Sequence, residues 1–283
     1  MIVITGASGQ LGRLVIQSLL TKVPASRIVA AVRNPQKASD LAALGVQIRR
    51  SDYTDSASLD AAFQGAEKVL LISSSEVGQR LAQHRNAIDA AKRAGISLLA
   101  YTSLLHADTS PLGLAGEHVA TEASLAQAGV PFVLLRNGWY TENYLASIPP
   151  ALQHGAFIGS AGEGRIASAA RADYAEAAAV VLTTPGQSGK VYELAGDEAY
   201  TLAEFSAELS RQSGKAIPYV DLPENDHKAA LIGAGLPEPI AGLLADSDSG
   251  AAKGGLFDDT RQLGTLIGRP TTPLAVSMRA ALA

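Results

Sequence analysis

The chain has 283 residues, and its 23 Lys and Arg against 27 Asp and Glu give a formal charge of −4. A mildly acidic chain has no general electrostatic attraction for nucleic acid or for an anionic membrane. Hydrophobic residues make up 47% and charged residues 18%, which is typical of a globular protein and excludes a mainly disordered one. The absence of Cys excludes disulfides, thiolate catalysis and cysteine-ligated metal sites.

The start of the sequence reads as a strand. No apolar run approaches the length of a membrane span, and residues 1–6 (MIVITG) carry no basic region or small-residue cleavage site. We therefore expect no secretory signal and a cytoplasmic protein without membrane insertion.

Short apolar strands alternate with helical segments through the first half of the chain. The predicted strands are 2–5, 27–33, 46–50, 68–73, 97–102 and 131–136. The predicted helices begin near residue 11 and then cover 36–44, 56–63, 78–94 and 117–128, with glycines 45, 95 and 129 as C-terminal caps. This alternation predicts an α/β fold, a parallel sheet with right-handed crossovers and helices on both faces.

The pattern loosens after residue 136. We predict a helix over 173–182 with Asp173 as N-cap, a strand over 190–194, helical segments from Leu202 and a polar loop over 246–255. Residues 1–136 are expected to form the nucleotide-binding domain, with strand 190–194 returning to it. Residues 137–283 are expected to form mainly a smaller, mixed C-terminal lobe.

The most specific motif is a glycine-rich loop between the first strand and the first helix. It consists of Gly6, Ala7, Ser8, Gly9, Gln10, Leu11 and Gly12. In a dinucleotide-binding loop the glycines allow a sharp turn, close approach to a pyrophosphate and close packing of the helix on the sheet. The helix N-terminus then offers free N–H groups to the phosphates.

The end of the second strand indicates which dinucleotide is bound. Arg33 stands about twenty residues beyond the glycine loop, where an acidic residue would favour NAD and an Arg favours the 2′-phosphate of NADP. Lys37 adds a nearby cation, and no Asp or Glu precedes Ser39. We therefore predict NADPH as the cofactor.

Several familiar catalytic arrangements are missing. None of the eight Tyr residues is followed by Lys four positions later, so the proton-transfer pair of typical short-chain dehydrogenases is absent. His118 and Glu122 share a helical face and could form a metal half-site or an acid/base pair, or be an ordinary solvated pair. We assign no catalytic residue and no metal.

A nicotinamide enzyme without a proton-transfer pair is suited to an acceptor that takes hydride easily, and a quinone fits this requirement. The segment 136–144 (RNGWYTENY) follows a strand end and holds the single Trp with two Tyr. Flat aromatic walls with a few polar groups suit a quinone ring, so we assign Tyr140, Asn143 and Tyr144 to substrate binding. Packing between lobes is the alternative role for this segment.

These motifs resemble the NmrA-like group of atypical short-chain dehydrogenases/reductases, and most closely its bacterial NADPH:quinone oxidoreductases. The likeness is carried by Arg33 and by the segments GASGQLG at 6–12, SSSEVGQR at 73–80, YTSLLHADTSPLGL at 101–114, RNGWYTEN at 136–143 and KGGLFDD at 253–259. The resemblance implies a Rossmann-like domain with a small C-terminal lobe, and direct hydride transfer to quinones. It also implies that NADPH contacts the glycine loop, Arg33 and two further segments. The first segment consists of Ser73, Ser74 and Ser75, and the second consists of Asn137, Gly138, Trp139, Tyr140, Thr141 and Glu142.

Two other functions stay open at this stage. The NmrA-like group includes redox sensors that bind the dinucleotide with little turnover. A reductase or isomerase of sugars or aromatic metabolites would instead use His118 or Glu122 for proton transfer. The sequence also leaves open whether the chain forms a homodimer.

Overall fold

The computed structural model describes residues 1–283 and contains two compact units. The first comprises residues 1–107, 116–137 and 171–192, and the second comprises 108–115, 138–170 and 193–283. The segment 171–192 thus lies in the first unit, whereas the sequence placed it, apart from its final strand, in the C-terminal lobe. None of the helices combines the length and the apolar character that a membrane-spanning helix needs.

The chain forms nine strands and thirteen α-helices. The strands are β1 Ile2–Ile4, β2 Ile28–Val32, β3 Gln47–Arg50, β4 Lys68–Leu71, β5 Leu98–Leu104, β6 Phe132–Asn137, β7 Phe157–Gly159, β8 Val191–Leu194 and β9 Tyr219–Asp221. The helices are α1 Gln10–Leu20, α2 Ser39–Ala43, α3 Ser56–Phe63, α4 Arg80–Arg93, α5 Ala115–Ala128, α6 Thr141–Leu145, α7 Ile148–His154, α8 Arg171–Thr183, α9 Leu202–Ser213, α10 Glu224–Gly233, α11 Glu238–Ala252, α12 Gln262–Ile267 and α13 Leu274–Leu282.

The first unit is built on a sheet with the strand order β3-β2-β1-β4-β5-β6-β8. The pairs from β3 through β6 are parallel. The backbone bonds from Leu134 to Lys190 and from Gly138 to Leu194 advance in the same direction along β6 and β8. The predicted parallel sheet is therefore confirmed, and so is the Rossmann-like fold.

Alternate residues of the central strands face opposite sides of this sheet, as the period of a β-strand requires. On one side Val3, Val69 and Leu99 belong to a buried cluster with residues of α3, α4 and α5. On the other side α1 packs against α8, and both helices contact the sheet. Burial on both faces explains why β2 is apolar throughout and why β4 and β5 are apolar over 69–71 and 98–101.

The second unit contains a small parallel sheet, β7 with β9, together with helices that include α6, α7 and α9 to α13. Its aromatic core brings together Tyr144, Phe157 and Phe205, and the rings of Phe157 and Phe205 lie 4.8 Å apart between centroids. This mixed lobe agrees with the fold that the sequence predicted.

Three details of the predicted elements are wrong. The helix over 36–44 is a 3-10 turn at Pro35–Ala38 followed by the five-residue α2, because Asn34 caps the turn at the backbone N–H of Gln36. Asp173 lies in the first turn of α8 rather than at its N-cap.

The third error concerns residues 246–255, predicted as a loop, of which 246–252 continue α11. Polar residues are tolerated in this helix because each has a partner. Asp246 accepts a bond from the Gly113 N–H at 2.8 Å, Ser247 donates to the Leu243 carbonyl at 2.7 Å, and Asp248 is bound by Tyr144.

Candidate functional site

The glycine loop follows β1 and leads into α1, as the motif predicted. Gly6 has φ of +57°, in the left-handed region that favours glycine, and the Gly9 N–H donates to the Gly6 carbonyl at 2.9 Å. A Cβ atom on Gly12 would lie 2.6 Å from Ala7 Cα and 2.7 Å from the Gly6 oxygen. Only glycine at position 12 therefore lets the helix approach the loop this closely.

The N-terminus of α1 is suited to an anion. Gly9 occupies the N-cap without a side-chain hydrogen bond, and the first turn has no acidic residue. The first N–H groups of the helix and the positive end of its dipole are therefore available to a phosphate. The loop and helix fit the pyrophosphate of a dinucleotide.

Arg13 fixes the loop from the side. Its guanidinium forms an ion pair with Asp40, and it also donates to the Ser8 carbonyl at 3.1 Å and the Lys37 carbonyl at 2.6 Å. These contacts hold the glycine loop against the segment that follows β2.

Arg33 follows β2, and its side chain is 70% exposed. Its Nη1 atom donates to Oε1 of Glu76 at 2.8 Å. The Nε2 atom of Gln83 donates to the other oxygen of Glu76 at 2.7 Å. The residue that the sequence assigned to a 2′-phosphate is thus paired with a carboxylate in this structure.

The Ser73–Ser75 segment follows β4 and is tightly held in its middle. The Ser74 N–H donates to Nε2 of His84 at 2.9 Å, and its carbonyl accepts a bond from Arg80 Nε at 2.6 Å. Ser73 binds Thr102 through its N–H at 2.9 Å. Ser74 is buried, whereas Ser75 is exposed, so the three serines differ in what they can offer to a ligand.

A buried polar network lies beneath this segment. Nδ1 of His84 bonds with Thr121 at 3.0 Å, and the Tyr101 hydroxyl bonds with Nδ1 of His118 at 2.8 Å. Burial, together with the charge of Arg80, lowers the pKa of His84 to about 4 and that of His118 to about 3. Both imidazoles are therefore neutral near pH 7, which leaves Nε2 of His84 able to accept the Ser74 N–H.

His118 and Glu122 have separate partners. Nε2 of His118 lies 3.5 Å from Arg80, whereas Glu122 accepts bonds from Arg136 Nη2 at 2.7 Å and from the Ser103 hydroxyl at 2.5 Å. Both residues thus take part in the internal packing of the first unit. No group of three His, Cys, Asp or Glu side chains suitable for a metal ion is present.

The segment 137–144 begins with Asn137, the buried last residue of β6, whose carbonyl accepts a bond from Leu105 N–H at 3.0 Å. In the second unit, Gly138 donates to the Leu194 carbonyl at 2.7 Å. Trp139 and Thr141 exchange backbone bonds with Ala169. These bonds fix the backbone that presents the aromatic side chains.

A pocket within the second unit is lined partly by this segment. Trp139, Asn143 and Tyr144 line it together with His227 and Asp248, and its cavity volume is about 30 Å³. Tyr140 is not among the lining residues; it is half-buried and forms an isolated bridge with Ala169. Glu142 lies in the first turn of α6.

A buried carboxyl group lies at this pocket. Asp248 accepts a bond from the Tyr144 hydroxyl at 2.8 Å and one from the Ser160 N–H at 3.0 Å, and Nδ1 of His227 lies 3.6 Å from it. Burial raises the pKa of Asp248 to about 6, and it raises the pKa of Tyr144 as well. The pocket therefore combines aromatic walls with a hydroxyl and a carboxyl group.

Sequence reasoning does not single out four residues that complete these arrangements, Glu76, His84, His227 and Asp248. His84 bonds with Ser74, which lies 10 positions away in the chain, and Asp248 bonds with Tyr144, which lies 104 positions away. Of these four residues, only Glu76 closely follows the carboxyl end of a strand, so its position in the sequence was the one available signal.

Comparisons with known proteins agree with this geometry. A family model described as NAD(P)H-binding matches residues 6–185. The chain is 64% identical to Quinone oxidoreductase 2 of Escherichia coli, over 98% of this chain and 97% of that protein. The crystal structure of the E. coli NADPH-dependent quinone oxidoreductase with NADPH matches over the full length of both chains, with 63% identity and a TM-score of 0.98.

More distant relatives are also similar over most of the chain. The Citrobacter sp. triphenylmethane reductase with NADP(H) is 39% identical over 99% of this chain and 100% of that chain, with a TM-score of 0.95. An NmrA-like family domain-containing oxidoreductase of Aspergillus flavus is 27% identical over 76% of this chain and 72% of that protein. The chain belongs to the NAD(P)H-binding family, and its relatives include NmrA-like proteins.

Proposed function

We propose that this protein is an enzyme that reduces quinones with NADPH. The observation that carries the proposal is the 64% identity, over 98% of the chain, to an E. coli quinone oxidoreductase. The glycine loop at the N-terminus of α1, which fits a pyrophosphate, supports the same conclusion.

The residues of the chain bind and orient the reactants. The N–H groups at the start of α1 hold the pyrophosphate, and the guanidinium of Arg33 holds the 2′-phosphate. Ser73–Ser75 and residues 137–142 remain the proposed further contacts of the dinucleotide. When bound, NADPH supplies the hydride, so the protein contributes proximity and orientation.

The acceptor is proposed to contact Tyr140, Asn143 and Tyr144. Two of these three residues line the aromatic pocket of the second unit. The sequence has no Tyr with a Lys four positions later, so we propose that no such pair takes part and that water protonates the stabilised anion formed from the quinone. We therefore assign no catalytic residue.

The alternatives predict different outcomes. A redox sensor binds NADPH without consuming it. An enzyme that uses His118 or Glu122 for proton transfer needs that group free to reach a substrate, but Arg136 and Ser103 occupy Glu122, and His118 is buried between Tyr101 and Arg80. The geometry thus disfavours the second alternative.

The test is NADPH oxidation by the purified protein, with and without a simple benzoquinone and with NADH in parallel. We expect rapid quinone-dependent loss of NADPH and weak use of NADH. Tight binding of NADPH with no turnover for any soluble quinone would instead identify a sensor. Light scattering on the same preparation would decide between a monomer and a homodimer.

A further inference from the structure

The ion pair between Arg33 and Glu76 spans the strand that carries the glycine loop. Arg33 follows β2 and Glu76 follows β4, and β1 lies between these two strands in the sheet. The two side chains nevertheless meet at 2.8 Å. The pair therefore links the two segments that flank the glycine loop at the carboxyl end of β1.

Glu76 is the better anchored member of the pair. Its second carboxylate oxygen accepts the Gln83 amide at 2.7 Å, and its backbone N–H donates to the Ser74 hydroxyl at 3.1 Å. Ser74 is in turn held by His84 and Arg80. Arg33 has an exposed side chain that is hydrogen-bonded to Glu76, and its charge also helps to lower the pKa of Asp52.

A carboxylate and a phosphate compete for the same guanidinium. Arg binds a phosphate through parallel N–H donors, and a neighbouring carboxylate both occupies a donor and repels the dianionic phosphate. Glu76 keeps its bond to Gln83 when Arg33 leaves, so separating the pair does not leave the carboxylate without a partner.

We propose that Glu76 is a specificity-determining residue, an internal anion that competes with the 2′-phosphate of the dinucleotide for Arg33. Glu76 weakens the binding of 2′-phosphorylated ligands and leaves ligands without that phosphate nearly unaffected. This inference rests on the proposed function, because it takes Arg33 as the group that binds the 2′-phosphate.

The experiment measures binding rather than turnover. Isothermal titration calorimetry compares adenosine 2′,5′-bisphosphate with adenosine 5′-monophosphate on the wild-type protein and on Glu76→Gln. Gln keeps the size of the side chain and removes its charge. We expect the bisphosphate to bind about two- to fivefold more tightly to Glu76→Gln, the range for an exposed ion pair, and the affinity for the monophosphate to stay nearly unchanged.

The chain offers a matched control at the amino ends of the same strands. Arg27 precedes β2 and Glu67 precedes β4, and their side chains form an exposed ion pair at 2.7 Å. Glu67→Gln removes the same charge from the same unit, so it should leave the binding of both ligands unchanged. In an Arg33→Ala background, Glu76→Gln should no longer strengthen the binding of the bisphosphate.

The outcomes separate the inference from the proposed function. If the wild-type protein binds both ligands equally, the preference for NADPH fails, and the inference fails with it. If the wild-type protein prefers the bisphosphate but Glu76→Gln binds it equally or more weakly, only the inference fails. Binding of the bisphosphate to Glu76→Gln that is no tighter than to the wild type would mean that Glu76 orients Arg33 instead of competing for it.

Discussion

At the scale of single residues, position 12 has the strongest steric requirement for glycine within the glycine loop. The hydrogen of Gly12 faces backbone atoms of residues 6 and 7, which cannot move aside as a flexible side chain can. Gly6 presents the opposite case, because its constraint is a positive φ and the nearest atom to an added Cβ is 3.6 Å away. The two glycines thus serve the loop through different physical requirements.

We expect Gly12→Ala to push α1 away from the glycine loop. Calorimetry should then show binding of NADP⁺ weakened at least about tenfold, and the melting temperature should fall, since overpacking costs about 1–3 kcal/mol. Gly116→Ala is the matched control, because Gly116 lies in α5 and a Cβ there meets nothing within 4 Å. That control should stabilise the protein slightly and leave binding unchanged. Unchanged NADP⁺ binding in Gly12→Ala would contradict the proposed role of the loop.

At the scale of elements, the sequence predicted the strands of the first unit well and parts of the second unit poorly. Strands buried on both faces appear as apolar runs, so β2, β4 and β5 are visible from composition alone. The C-terminal part of α11 is not visible in this way. Its Asp and Ser residues look like a loop until Gly113, Tyr144 and Ser160 supply their hydrogen bonds.

The candidate site shows the same division. The glycine loop and Arg33 could be predicted because they depend on positions near strand ends in the sequence. The pairing of Arg33 with Glu76 and the bond from Ser74 to His84 depend on neighbouring strands and helices that the fold brings together. The sequence immediately around a residue does not show which distant residues the fold brings to it as partners.

Asp248 in α11 gives an element-scale prediction. Its pKa in the folded protein is about 6, above the ordinary value of 3.8, so the folded state holds this proton more tightly than the unfolded state does. The stability from this group is present below about pH 3.8 and is lost as the pH rises to about 6, a loss of about 3 kcal/mol. Asp248→Asn should remove this loss of stability, because the Asn side chain does not ionise.

Chemical denaturation at pH 4 and at pH 7.5 checks the Asp248 prediction. The free energy of unfolding of Asp248→Asn, relative to that of the wild type, should be higher at pH 7.5 than at pH 4. His84→Gln provides a comparison of opposite sign, because a pKa lowered from 6.5 to about 4 costs stability as the pH falls through that range. The prediction for Asp248 is wrong if its difference does not depend on pH.

At the scale of the whole molecule, the chain passes repeatedly between its two units. The first unit takes three separate stretches of sequence, and the last of them supplies α8. This helix packs on α1, which leads out of the glycine loop. Stability of the first unit and the shape of its phosphate-binding loop are therefore set by residues from both halves of the sequence.

Ligand binding should accordingly be measurable as stability of the molecule. A ligand that binds only the folded state adds about 2.7 kcal/mol at one hundred times its dissociation constant. For a chain of this size, that corresponds to a rise of about 5 °C or more in the melting temperature. At equal concentration, NADP⁺ should raise the melting temperature more than NAD⁺ does, because only NADP⁺ has the 2′-phosphate that we propose Arg33 binds.

Two arginine variants make this comparison specific. In Arg33→Ala the shifts produced by NADP⁺ and NAD⁺ should become equal. In Arg27→Ala, which removes a similarly exposed and paired guanidinium at the opposite ends of the strands, the difference should persist. Equal shifts in the wild-type protein would mean that it has no selectivity for NADP⁺. A difference that survives Arg33→Ala would mean that the selectivity comes from other residues. The comparison of these melting-temperature shifts thus tests whether Arg33, at the end of β2, is the residue through which the 2′-phosphate stabilises the folded chain.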